Sequence, residues 1–272
     1  MIWPGLAKAI GLNNGAAYLD MLNDKQVDII DRLFIEYEGK DSLGECIFDR
    51  IADHNKKCRS EGHLDDLMKP ANAMGNYNLF QIAGTDTSQN TTKMALCHMA
   101  DKPELKQIID DIDSQIYDGH GSTTSQKLAE SEHLNMWIKE ALRIHNPVTR
   151  LSFKHVIKDF KLGKYNIQKG TLIQFSLVGL NFNERVFKHP EQFDITRFSK
   201  ENEKSIPKYH YIPFSVGKRM CLGRHLGELM LKLLVTQFCR TFDFSKPEGV
   251  EYYESTTATH SVDNPFLDVK LK

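Results

Sequence analysis

The segment Phe214-Ser-Val-Gly217-Lys-Arg219-Met-Cys221-Leu-Gly223 constrains this chain more than any other stretch. It spells the pattern F-x-x-G-x-R-x-C-x-G. Gly217 allows a sharp bend before the cysteine, and Gly223 allows close backbone approach just after it. Arg219 is a permanent cation with a planar fork of donors, suited to a carboxylate. Phe214 is an apolar ring that can pack beside the sulfur and exclude water. From Leu222 onward, Leu222, Leu226, Leu229, Leu233 and Val235 to Phe238 recur at helical spacing. Cys221 therefore stands at a helix N-terminus, where partial positive charge favours thiolate over thiol. A lone cysteine is usually a buried structural residue, but that account leaves the other fixed positions unexplained.

The rest of the composition is ordinary. The 272 residues are 40% hydrophobic and 26% charged, as in a globular protein with a real core. The net charge of −1, with both signs interspersed, gives no surface for nucleic acid. Five cysteines (Cys46, Cys58, Cys97, Cys221 and Cys239) are scattered without a CxxC pair, which fits free thiols in a reducing, intracellular setting. Cys46, His54, Cys58 and His63 are too widely spaced for the tight ligand pairs of a structural zinc site. No run reaches the length of a membrane-spanning helix. The apolar start Met1-Ile-Trp-Pro4-Gly5 is short, interrupted, and followed rather than preceded by Lys8, against a secretory signal. It leaves a partly buried loop or a peripheral membrane contact, the loop being favoured.

Helical patterns run from about 25 to 59, with Ser42 and Glu45 as a capping box, and from about 71 to 100. A polar break separates them at 60–66, and Pro70 begins or interrupts the second. Further helices are expected after Pro103 and from about Ser131 to His145, ending before Pro147, with a loop at 119–125 between. Short strands are expected around Gly163 and Gly170, then irregular aromatic-rich stretches at 181–198 and 207–221. The cysteine helix and a polar tail with short strands complete a mainly α chain with small β-hairpins.

Two more constellations stand out. Ala83-Gly84-Thr85-Asp86-Thr87-Ser88 places a glycine and hydroxyl residues inside the long helix, which suggests a local widening of its hydrogen-bond ladder. Glu140 and Arg143 are spaced to pair on one helix. Together with the cysteine segment, these residues resemble the motifs of the cytochrome P450 family in order and separation. The resemblance covers essentially the whole chain and implies a cytochrome P450 fold. A complete family member carries nearly another chain-length of sequence before this region. The expectation is therefore an N-terminally truncated form, with residues 1–272 the C-terminal haem-binding portion of a single domain.

The resemblance implies roles. Cys221 is the thiolate ligand of haem b iron, shaped by Phe214, Gly217 and Gly223, with Arg219 on a haem propionate. Ala83 and Gly84 lie against the haem. Thr87 hydrogen-bonds dioxygen and Asp86 helps deliver protons, a relay needing adjacent hydroxyl and carboxylate groups. Arg150 or Lys154 supplies a second propionate cation, although Phe153 occupies a position where many members are basic. Arg197, in Phe193-Asp-Ile-Thr-Arg197-Phe198, joins Glu140 and Arg143 in a structural triad, with Ile195 and Thr196 replacing the family's proline and glutamate. Gln168, in Tyr165-Asn-Ile-Gln-Lys-Gly170, replaces a common proline.

The implied function is a monooxygenase acting on a small apolar organic substrate. Its electrons come from an NADPH-dependent reductase or a ferredoxin-type donor, because no GxGxxG motif is present. The Asp86–Thr87 pair favours this over isomerase or peroxide-using relatives. Full-length relatives often sit on the endoplasmic reticulum membrane. The alternative is an inactive fragment of such an enzyme that binds haem weakly or not at all.

Overall fold

The computed structural model describes residues 28–29, 32, 47–102, 116–117, 123–151, 153–256 and 259–272. The N-terminal apolar stretch, the Ser42–Glu45 capping box, Cys46, the helix expected after Pro103 and loop residues 119–122 lie outside them. The chain divides into two compact units, Met1–Ala83 and Gly84–Lys272.

In the first unit, helix α1 (Ile47–Glu61) buries Ala52, Asn55 and Cys58 along one face. Asn55 pins the following segment from both sides: its Nδ2 donates to the Met68 carbonyl at 3.1 Å, and its Oδ1 accepts from the Met68 amide at 2.8 Å. The polar break at 60–66 contains the end of α1 and a short 3-10 turn, Leu64–Asp66. Pro70 then begins helix α2 (Pro70–Asp101) at the position where its missing N–H costs nothing.

The second unit is built on helices. Thr124, within the loop expected at 119–125, caps α3 (Ser125–Glu130) by accepting from the Lys127 amide at 3.1 Å. Ser131 caps α4 (Glu132–Ile144) through the Leu134 amide at 3.3 Å. The core joins Ala95, Leu96, Met99 and Ala100 of α2 to Leu134, Trp137, Ile138 and Leu142 of α4. Leu231, Val235 and Cys239 of α6 (Arg224–Thr241) close it. Each such aliphatic or aromatic side chain contributes roughly 1.5–3 kcal/mol on burial.

Among the described residues, four two-stranded antiparallel sheets decorate these helices. Strands β1 (Lys154–His155) and β4 (Leu172–Ile173) pair Lys154 with Ile173. Between them, β2 (Phe160–Leu162) and β3 (Tyr165–Ile167) form a tight hairpin, with Gly163 at a φ of +58° in its turn. A short helix, α5 (Leu177–Asn181), leads into the irregular stretch. Beyond α6, β5 (Phe242–Ser245) pairs with β8 (Asp268–Leu271), and β6 (Glu254–Thr256) pairs with β7 (His260–Val262). The result is mainly α with small β-hairpins.

One sequence expectation needs correcting, and one helix needs a closer description. The helix α2 shows no widening through 83–88: it stays α-helical, and the Thr91 hydroxyl donates back to the Thr87 carbonyl at 2.9 Å. A hydroxyl satisfied by the carbonyl one turn back leaves the ladder intact. The apolar run from Leu222 onward forms the expected helix, with Leu222 just before α6, but its members divide between the sides of that helix. Leu222 is 83% exposed and Leu226 62% exposed, while Leu231, Lys232, Val235, Thr236 and Cys239 are buried. Apolar residues occupy more than one side of this helix, so their spacing alone does not select the face that packs.

Candidate functional site

The cysteine segment folds as a tight loop entering α6. Its polypeptide arrives from Pro213, whose carbonyl accepts from Asn146 Nδ2 at 3.3 Å just beyond α4. Ser215 and Gly217 both have positive φ, +64° and +78°, and residues Gly217–Arg219 form one 3-10 turn. Only glycine takes the +78° backbone of Gly217 without strain. The loop closes when the Cys221 amide donates to the Phe214 carbonyl at 2.9 Å, and the Met220 amide to Gly217 at 3.1 Å. Phe214 is partly buried and lies on α6, its ring 3.7 Å from where a Gly227 Cβ would stand. Gly223 is the N-cap of α6, with an ordinary φ of −84°. A Cβ there would lie 4.0 Å from the Cys221 sulfur, an ordinary contact, so the chain itself sets no steric demand for glycine at 223.

The loop thereby presents its thiol outward. Among the described cysteines, Cys58, Cys97 and Cys239 are buried and Cys221 is exposed. Burial pushes the Cys97 thiol up to about 11, as expected for an inert core residue. Around Cys221 the exposed side chains of Met220, Leu222 and Leu226 form an apolar rim, with Arg219 also exposed. A soft sulfur donor, an apolar rim and a neighbouring guanidinium suit a flat apolar macrocycle carrying a metal and carboxylates. Gly84 agrees with that fit: a Cβ there would meet nothing within 4 Å, so α2 offers a smooth, open face. The residues present fit haem.

Asp86 and Thr87 lie one turn or less beyond Gly84. Asp86 is exposed and its carboxylate accepts from Thr259 Oγ1 at 2.7 Å and from Asn90 Nδ2 at 3.4 Å. Arg150 is exposed and bridges Ser176, and Lys154 is exposed on β1. Ala83 falls in the first unit, on α2.

Glu140, Arg143 and Arg197 come together in the interior. Glu140 and Arg143 are fully buried, with paired bonds of 2.7 Å from Arg143 Nε and Nη2 to the two carboxylate oxygens. Arg197 Nε reaches Glu140 Oε1 at 3.3 Å, and the Asp194 amide donates to the same oxygen at 2.9 Å. Further guanidinium protons go to backbone carbonyls: Arg143 donates to Asn181 and Gln192, and Arg197 to His189 and Gln192. The cluster thus staples α4 to the irregular stretch that precedes the cysteine loop. Ile195 and Thr196 do not disturb it, because Asp194 caps the 3-10 turn Ile195–Phe198 through the Thr196 amide at 2.9 Å.

Sequence reasoning passed over Thr259, Asn90, Ser261 and Asn146. None carries a motif, and Thr259 meets Asp86 across 173 positions, a contact no local pattern announces. Among the described residues, no three His, Cys, Asp or Glu side chains gather as a metal site. None of the described helices is long and apolar enough to cross a membrane.

Residues 22–264 match the family model described as Cytochrome P450, and the chain belongs to that family. It is similar to cytochrome P450 3A11 of Mus musculus, 31% identical over 61% of this chain and 33% of that protein. It is also similar to the steroid 17-alpha-hydroxylase/17,20 lyase of Ictalurus punctatus, at 32% identity over 61% and 33%, and to cytochrome P450 71B14 of Arabidopsis thaliana, at 30% over 82% and 41%. The chain thus spans about a third to two-fifths of the length of these relatives. Among solved structures, a cytochrome P450 (CYP102L1) superposes with a TM-score of 0.81, 21% identity, and coverage of 94% of this chain and 57% of that one. The heme domain of cytochrome P450DA gives 0.70, with 21% identity and coverage of 82% and 54%. The fold is that of cytochrome P450 haem domains.

Proposed function

We propose that this chain is the C-terminal haem-binding portion of a single cytochrome P450 domain. It serves a haem-thiolate monooxygenase that inserts one atom of dioxygen into a small apolar organic substrate. The observation that carries this reading is the Cys221 loop, whose exposed sulfur stands on a backbone fixed by the Phe214–Cys221 hydrogen bond and the positive φ of Gly217. Haem, when bound, supplies the reduction of dioxygen and the transfer of one oxygen atom.

The chain's own residues do the rest. Cys221 holds the metal through its sulfur, and Phe214 shields that sulfur from water. Arg219 neutralises a propionate, with Arg150 or Lys154 available for another. Ala83 and Gly84 lie against the flat ligand, and the open space around Gly84 lets it approach the helix. Asp86 accepts a proton from solvent and Thr87 passes a proton inward, the carboxylate and hydroxyl standing on neighbouring positions of α2. The Glu140–Arg143–Arg197 cluster keeps the cysteine loop in place. Electrons come from a separate reductase or ferredoxin-type donor within the cell.

Turnover with haem and such a donor tests the oxygen chemistry. Thr87→Ala is expected to keep electron consumption but to divert reducing equivalents to hydrogen peroxide. Relay groups contribute on the order of 10²–10⁴ to proton-dependent steps, so the product-to-peroxide ratio should fall by about tenfold or more. A ratio equal to the parent's would contradict the assignment of Thr87.

A further inference from the structure

Asp86 is an exposed side chain on an α-helix, and such a carboxylate ordinarily samples several rotamers. Here both of its oxygens are engaged. Thr259, placed just before β7, donates its hydroxyl proton to Asp86 Oδ2 at 2.7 Å. The same hydroxyl oxygen accepts from Asn90 Nδ2 at 2.7 Å, and that amide also approaches Asp86 Oδ1 at 3.4 Å. Asn90 is itself buried and oriented from the far side, where the Ser261 hydroxyl donates to its Oδ1 at 2.9 Å. The Asp86 carboxylate can only accept, so the Thr259 hydroxyl donates to it and accepts from Asn90 Nδ2, which turns Asn90 Oδ1 toward the Ser261 hydroxyl. Thr259 has one proton to give, and the carboxylate receives it.

We infer that Thr259 is a positioning residue for Asp86, and that the β6–β7 hairpin thereby sets the orientation of the proton-delivering carboxylate on α2. The inference rests on the relay role proposed above for Asp86. It goes beyond that role by assigning the control of the carboxylate to a residue outside the helix and outside every motif. A hydrogen bond to a charged group biases a local equilibrium by about tenfold or more. Loss of the Thr259 hydroxyl leaves Asp86 only the long 3.4 Å approach of Asn90, so it should loosen the side chain without displacing α2, whose backbone ladder remains.

Two variants separate the hydroxyl from the bulk of the side chain: Thr259→Val removes it at constant shape, and Thr259→Ser keeps it. The first readout needs no cofactor. Three-bond couplings that report the Asp86 χ1 rotamer should show one rotamer in the parent chain and in Thr259→Ser, and averaging in Thr259→Val. The second readout is the product-to-peroxide ratio with haem and an electron donor. It should fall about tenfold in Thr259→Val, recover in Thr259→Ser, and fall no further when Thr259→Val is added to Asp86→Asn.

A single Asp86 rotamer retained in Thr259→Val would overturn the inference. So would rotamer averaging with an unchanged ratio, which would make Thr259 a structural tie only. Parent-like coupling in Asp86→Asn is a different failure, because it would remove Asp86 from the relay altogether.

Discussion

His145 follows the last turn of α4, and neither of its ring nitrogens has a hydrogen-bond partner among the described residues although the residue is buried. The edge of the His98 ring meets it at 4.8 Å between centroids. Burial holds its pKa well below the usual 6.5, and the nearby His98, His260, Arg143 and Lys102 push in the same direction. The folded chain keeps this imidazole neutral, while the unfolded chain protonates it near 6.5. Its contribution to stability is therefore fully present above pH 6.5 and is lost as pH falls below that value. The slope for one proton is about 1.4 kcal/mol per pH unit. Replacing the ring with a non-titrating one, His145→Phe, should flatten the stability profile between pH 6.5 and 5 in denaturant titrations. An undiminished slope would assign the pH dependence to other groups.

At the scale of elements, the Glu140–Arg143–Arg197 cluster joins α4 to the irregular stretch running toward the cysteine loop. Removing one member of a buried, hydrogen-bonded ion cluster leaves a charge unpaired in the interior and costs about 3–5 kcal/mol. Glu140→Gln preserves shape but leaves two guanidinium groups without a countercharge. We expect a loss of stability in that range by chemical denaturation; a loss below about 1 kcal/mol would mean that water or backbone carbonyls already compensate the cations.

This cluster also marks what the sequence made legible. The i, i+3 spacing announced the Glu140–Arg143 pair, because helix geometry brings such positions together. Likewise, the helix expected from about Ser131 to His145, ending before Pro147, is α4 (Glu132–Ile144). The burial of α6 was not legible, since Leu222 and Leu226 share the periodicity of a core face but point to solvent. Nor was the Thr259–Asp86 bond, because a contact between distant positions follows from tertiary packing and leaves no local trace.

For the molecule as a whole, the second unit carries both the motif-bearing half of α2 and the cysteine loop, around a core contributed by α2, α3, α4 and α6. The exposed side of α6 is lined with apolar residues, and open hollows of about 470 and 550 Å³ run beside Leu234 and Phe238, which border both. The cysteine loop does not depend on those hollows for its shape. Its bend and its closing hydrogen bond are made within Phe214–Cys221, and its approach is fixed by Asn146. A loop so defined should retain its choice of ligand atom wherever it meets haem.

The optical spectrum of the purified chain with haem, reduced under carbon monoxide, tests this most directly. The expected result is a strongly red-shifted Soret band of thiolate type, lost in Cys221→Ser. A band at the position given by a nitrogen-ligated or unligated haem, or a red-shifted band that survives Cys221→Ser, would contradict the assignment of Cys221 as the metal ligand.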